Sequence, residues 1–144
     1  ASDVYKRQEE IVLAGINGNG YVFAEKLAVA LAGISPLKVV LCQIIMDKKN
    51  PLIGTTISIP AEQYTDKAVI VVDDVLNSGR TLIYGVKHFL EVPLKRITTA
   101  VLVNRNHKDY PIKADFKGIS LSTSLQEHVS VTFEPSNYSV DLSN

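Results

Sequence analysis

The chain has 144 residues, which suits one domain with a substantial core. It is 46% hydrophobic and 21% charged, and its 15 basic side chains balance 15 acidic ones, so there is no global electrostatic case for a nucleic-acid or membrane partner. The single Cys42 excludes an internal disulfide and fits a reducing, cytoplasmic setting, and no apolar run approaches the ~20 residues of a membrane span.

Residues 1–10 are polar and aperiodic. They are read as a non-domain or truncated leader, with 11–144 forming a single domain. Ile11 to Ala14 reads as a short buried strand ended by Gly15, and the stretch to Gly20 as a flexible turn. Phe23, Leu27, Ala30 and Leu31 share a face at helical spacing, which predicts a helix from about Tyr21 to Ala32. Gly33 is its expected stop, with Pro36 preventing continuation. Val39 to Ile45 reads as a second strand, with Cys42 a buried structural thiol among apolar neighbours. Asp47 to Pro51 is a charged loop, and Thr56 to Ile59 a short strand or hairpin arm. Val69 to Val72 is a third strand, running straight into Asp73 and Asp74. Leu82, Ile83, Val86, Phe89 and Leu90 form one stripe of a helix from Thr81 to Leu90. Ile97 to Val103, Phe116 to Ile119 and Val129 to Phe133 complete the strands. Strands alternating with helices predict an α/β fold with a central, mostly parallel sheet covered on both faces. Ligands of such folds sit beyond the carboxyl ends of the strands, where Asp73 and Asp74 fall.

The stretch from Val69 to Thr81 carries the chemistry. A buried strand delivers two carboxylates to a sheet edge, and Asn77, Ser78, Gly79, Arg80 and Thr81 follow as a polar loop entering a helix. Backbone N–H groups at a helix start cradle a phosphate, and carboxylates accept hydrogen bonds from sugar hydroxyls. A sugar phosphate satisfies both halves.

The run Val-Ile-Val-Val-Asp-Asp-Val-Leu-Asn-Ser-Gly-Arg-Thr resembles the phosphoribosyl pyrophosphate (PRPP) motif of type I phosphoribosyltransferases. Residues 99–115, with the turn Arg105-Asn106-His107-Lys108 and the sequel Tyr110-Pro-Ile-Lys-Ala-Asp115, are similar to one branch of that family. Its members are pyrimidine-operon attenuation regulators that are also uracil phosphoribosyltransferases. Ser122-Thr123-Ser124 extends the likeness, which runs from about Ile11 to Phe133. The resemblance implies a Rossmann-like type I phosphoribosyltransferase fold with a small hood. It implies transfer of phosphoribose from Mg2+-bound PRPP to a nucleobase, with uracil or a related pyrimidine favoured, and release of pyrophosphate. Asp73 and Asp74 would contact the ribose hydroxyls, directly or through water and metal, and would be the catalytic and metal-associated acids. Asn77 to Thr81 would bind the 5′-phosphate. Asn104, Arg105, His107 and Lys108 would border the base, although His107 taken alone also reads as a solvated loop residue. Purine-type relatives carry an Asp at the position of Asn77; Asn cannot take its proton role, which disfavours a purine. Asn77 also reads as a plain turn residue. A homo-oligomer, dimer or larger, is expected by the same likeness.

Two loops depart from the branch. The pyrophosphate loop, Lys-Thr-Arg-Gly in the branch, is here Asn17, Gly18, Asn19 and Gly20. Two charge-assisted contacts are lost, each contributing about 1.5–3 kcal/mol. The mobile loop between Met46 and Ile57 looks shorter. In it Lys48 and Lys49 read either as replacement pyrophosphate ligands or as a solvated basic turn. Three functions stay open: an enzyme; a nucleotide-responsive RNA-binding regulator; and a non-catalytic sensor that binds nucleoside monophosphate better than PRPP. The regulator needs Lys87, Lys95, Arg96, Lys108, Lys113 and Lys117 to form a basic face.

Overall fold

The computed structural model describes residues 9–105, 107–121, 128–134 and 137–143. The elements run β1 (Glu10–Ile16), α1 (Asn19–Ile34), β2 (Lys38–Ile45), β3 (Thr56–Ile57), a 3-10 turn at Ala61–Gln63, and β4 (Ala68–Leu76). There follow α2 (Arg80–Phe89), β5 (Arg96–Arg105), β6 (Phe116–Leu121), β7 (His128–Glu134) and β8 (Asn137–Ser143). Six strands form one sheet in the order β3-β2-β1-β4-β5-β6. All its pairings are parallel except that of the two-residue β3 with β2. β7 and β8 form a separate antiparallel hairpin. This is the α/β, mostly parallel architecture that the alternation of elements predicts.

Successive strand residues face opposite sides of a sheet. Val12, Ala14, Ile16, Val69 and Val71 pack into one core with Leu82 and Phe89 of α2. Leu13 and Val72 pack on the other side with Ala24 of α1. Both faces are therefore covered, which is why β1 and β4 read as unbroken apolar runs. Cys42 is buried, and burial pushes its thiol up to about 12.

Several boundaries differ from the sequence reading. Strand β1 continues through Gly15 to Ile16. A Cβ on Gly15 would lie 2.5 Å from the Tyr21 Cα, so glycine here lets α1 fold back over the strand. Helix α1 passes Gly33, which has open space around it, and stops at Ser35. Ser35 is extended (φ −144, ψ 145), the conformation that a following proline imposes. The buried positions of α1 are Gly20 and Ala24, while Ala30 is exposed. In α2 the buried positions are Leu82, Gly85 and Phe89; Leu90 caps the helix and is exposed. β4 extends to Leu76 and β5 to Arg105, because pairing of Asp73, Val75 and Leu76 with Val101, Val103 and Asn104 carries both strands past their apolar cores. β8 is absent from the sequence reading, although Tyr138, Val140 and Leu142 alternate with polar residues. Residues 1–8, most of the segment expected to be a leader, lie outside the described residues, as do Asn106 and Ser122-Thr123-Ser124.

An ion-pair cluster closes the amino-terminal edge of the sheet. Glu10 meets Lys38 at 3.1 Å and Lys67 at 2.6 Å, and Glu9 meets Lys95 at 3.1 Å and Arg96 at 4.0 Å. These hydrogen bonds and charges hold both carboxyls below their usual range.

Candidate functional site

The acidic pair lies inside the last turns of β4, so the two carboxylates leave the strand on opposite sides. Asp73 is only 5% exposed. It packs beneath the start of α1: a Cβ added to Gly20 would stand 2.9 Å from Asp73 Oδ1 and 3.1 Å from the Val72 carbonyl. Asp73 Oδ1 accepts the Asp74 N–H at 2.9 Å. Burial pushes the Asp73 carboxyl well above the usual carboxylate range; the adjacent Asp74 adds to the rise, and the Lys48 ammonium opposes it. Asp74 is half-buried, and its Oδ1 accepts the Val75 N–H at 2.9 Å.

A cleft of about 130 Å³ opens above the pair, lined by Lys48 and the continuous run Asp73 to Leu82. At ~30 Å³ per water, it is roomy enough for a phosphate-sized anion at the loop. Gly79, the residue before α2, adopts a left-handed conformation (φ 90) that favours glycine. A Cβ there would also strike Ile112 Cγ2 at 2.6 Å. Ser78 Oγ accepts the Arg80 N–H at 3.2 Å, and the Gly79 carbonyl accepts the Ile83 N–H at 2.9 Å, opening α2. The first-turn amides of α2 have no partner within the helix and carry its positive partial charge toward the cleft.

Two neighbouring segments are fastened to this loop, and a third, the loop after β1, is fastened beside it to the end of β2. The Ser78 carbonyl accepts the N–H groups of Asp109 (2.8 Å) and Tyr110 (3.0 Å). The far end of that segment is tied to β5, where Asp115 Oδ2 accepts the Thr99 N–H at 2.9 Å. Arg80 Nη2 donates to the Lys49 carbonyl at 3.1 Å, anchoring the loop after β2. Asn17 N–H donates to the Ile44 carbonyl at 2.9 Å, joining the loop after β1 to the end of β2. Gly18 (φ 90) leaves room for Lys48, whose Nζ lies 3.5 Å from where a Gly18 Cβ would stand.

The segments Asn17–Gly20, Lys48–Lys49, Asp73–Thr81, 104–105 and 107–110 thus lie near one another at this end of the sheet. Their members differ in exposure. Lys48 reaches the cleft; Lys49 is exposed and contributes its backbone carbonyl. Asn104 and Arg105 are not in a turn but at the end of β5, 9% and 8% exposed. Arg105 Nη1 donates to Asn77 Oδ1 at 2.9 Å. His107 is half-buried and Lys108 exposed. The side chains of Asn104 and His107 each bury an atom, Oδ1 and Nε2, that has no hydrogen-bond partner among the described residues. Sequence reasoning missed the bonds made by Ser78, Arg80 and Asp115 across the site. Two of these use backbone carbonyls, which leave no trace in residue type.

A family model described as "Phosphoribosyl transferase domain" matches residues 1–135. The "Bifunctional protein PyrR" of Streptococcus gordonii is 33% identical over 132 residues, covering 88% of this chain and 75% of that protein. The protein of the same name from Chloroflexus aurantiacus is 33% identical over 130 residues, 85% of this chain and 71% of the other. A hypoxanthine-guanine phosphoribosyltransferase from Bacillus anthracis is similar in fold, with a TM-score of 0.66 at 23% identity over 83% of this chain and 70% of that one.

Proposed function

Because the chain belongs to the phosphoribosyl transferase domain family, we propose that it transfers the 5-phosphoribosyl group of PRPP to a nucleobase, uracil or a related pyrimidine, and releases pyrophosphate. The observation that carries this reading is the single cleft shared by Asp74 and the Ser78–Thr81 loop. A 5′-phosphate bound by the loop amides and the α2 terminus puts its ribose beside Asp74. Asp74 then accepts from the ribose hydroxyls and stabilises the positive charge that develops on the sugar as pyrophosphate departs. Asp73 acts behind it, supporting the Asp74 backbone and the entry to α1. Asn77, an amide, does not exchange a proton with the base, which supports a pyrimidine.

The donor set also fits Mg2+. Among the described residues no group of three or more His, Cys, Asp or Glu side chains converges to hold an ion. A Mg2+ that arrives on PRPP needs less, because one or two carboxylates plus substrate phosphates usually hold it. Asp74, with Asp73 through water, would hold it, and the ion would neutralise charge on the departing pyrophosphate.

The Asn17–Gly20 loop brings no cation of its own. Lys48, poised between that loop and the acids, supports a partial replacement, with PRPP affinity and turnover lowered by the contacts that remain missing. Production of uridine monophosphate (UMP) from uracil and Mg2+-PRPP tests the enzyme. No turnover with any common nucleobase, in protein that binds UMP, rejects it in favour of the sensor.

The RNA-binding reading needs one basic face. Arg96 opens β5, a strand roughly 30 Å long at ~3.3 Å per residue, Lys108 follows its far end, and Lys95 and Arg96 are engaged by Glu9. A salt-titrated assay with the organism's own pyrimidine leader RNA tests it; the absence of specific binding with and without nucleotide rejects it.

A further inference from the structure

Arg105 occupies the last position of β5, buried, with its Nη1 2.9 Å from Asn77 Oδ1. A guanidinium offers donors only. The group that faces it must be an acceptor, so the Asn77 amide is held with its oxygen toward Arg105 and its two Nδ2 hydrogens turned away. Asn77 is exposed and lines the same cleft as Asp74. Its predecessor Leu76 pairs in register with Asn104, which sets the amide at the junction of the phosphate loop and the 104–107 segment. That segment carries the two buried atoms without partners, Asn104 Oδ1 and His107 Nε2. Buried polar atoms are almost always paired, so two unpaired ones on the residues that flank Arg105 mark places that a ligand or water completes.

We propose that Arg105 is a positioning residue that locks Asn77 as a hydrogen-bond donor, so that the site selects bases presenting an oxo group over bases presenting an amino group at the edge facing Asn77. The inference rests on the phosphoribosyl reading, since only then does a base lie beside Asn77. An unrestrained asparagine turns its amide to suit either partner. A restrained one accepts only the ligand that complements its exposed end, and a mismatched ligand leaves buried groups unpaired. Aspartate at position 77 would ion-pair with Arg105 and present an acceptor instead.

Calorimetry with UMP and cytidine monophosphate (CMP) tests this without requiring turnover, because the two ligands differ by an oxo and an amino group on the base. The native chain is expected to bind UMP about tenfold or more tightly than CMP, as one well-placed charge-linked hydrogen bond allows. Arg105→Met frees the amide, bringing the ratio toward one while both nucleotides still bind. Arg105→Lys keeps a donor and retains the preference, which a purely structural role would not predict. Asn77→Asp abolishes or reverses it. Should Arg105→Met fail to fold, the exposed Asn77→Asp variant decides alone. Equal affinities in the native chain, or a ratio unmoved by Asn77→Asp, overturn the inference and leave the phosphoribosyl reading standing. Binding of neither nucleotide by the native chain overturns both.

Discussion

Asp73 and Asp74 are neighbours in sequence and opposites in environment. Both line the cleft, but Asp73 is nearly buried beneath Gly20 while Asp74 is half-buried. Their roles separate in two measurements. Asp74→Asn is expected to lower kcat/KM for PRPP about a hundredfold, the scale of removing one electrostatic contact to the transition state, with little change in the unfolding midpoint. Asp73→Asn acts on stability. The native carboxyl binds its proton more tightly than the unfolded one, whose pKa is ~3.9. Its contribution is therefore fullest below that value and declines as pH rises toward the native pKa. Urea midpoints of the natural chain are expected to fall relative to Asp73→Asn from about pH 4 upward, and parallel curves would refute the assignment. The residue types of this site were legible in sequence, because strand, acids and loop are contiguous. Their division of labour was not. It depends on β4 running through the acids to Leu76, which its pairing with β5 decides.

At the level of elements, the site is a set of loops held by a few bonds and close approaches. Gly79 is one such point, with positive φ and no room for a Cβ against Ile112. Gly79→Ala is expected to destabilise by about 1–3 kcal/mol in denaturant titration, and Ile112→Ala in the same chain to recover part of that loss. Equal losses with and without Ile112 would show that backbone strain alone is responsible. The sequence reading of elements was sound where periodicity was strong and failed at the ends. Gly33 looked like a stop, yet Pro36 ends α1 through Ser35. Arg105 looked like the start of a turn, yet ladder pairing to β6 keeps it in β5. The first error is a local one, proline's restriction of the residue before it; the second is a tertiary choice over local propensity.

Across the whole molecule, function and stability collect at opposite ends of the parallel strands. At the carboxyl end, Lys48 places its ammonium 3.5 Å from where a Gly18 Cβ would stand, beside the altered loop. Lys48→Ala is expected to weaken PRPP binding by about one order of magnitude while leaving UMP binding nearly unchanged, since UMP lacks the pyrophosphate. Equal weakening of both ligands would place Lys48 elsewhere in the site. At the amino end, Glu9 and Glu10 are held below their unfolded pKa by their lysine partners. Their contribution is present above the unfolded carboxylate value of 4.5 and is lost as pH falls through the lower native values. The unfolding midpoint is expected to drop on acidification through that window, less steeply in a Glu9→Gln, Glu10→Gln chain and at high salt. The parallel sheet was legible from alternating elements. The strand order was not, because it rests on pairings between residues distant in the chain.

The Ser78 carbonyl receives two main-chain amides, from Asp109 and Tyr110, and the Asn17 amide reaches the Ile44 carbonyl in the same manner. Such fastenings are indifferent to side-chain identity, except where a proline would remove the donor. Substitution at the exposed position 77 therefore leaves these fastenings in place. On the inference drawn above, a directed-evolution library restricted to positions 77 and 105 is a compact place to seek divergence in base preference.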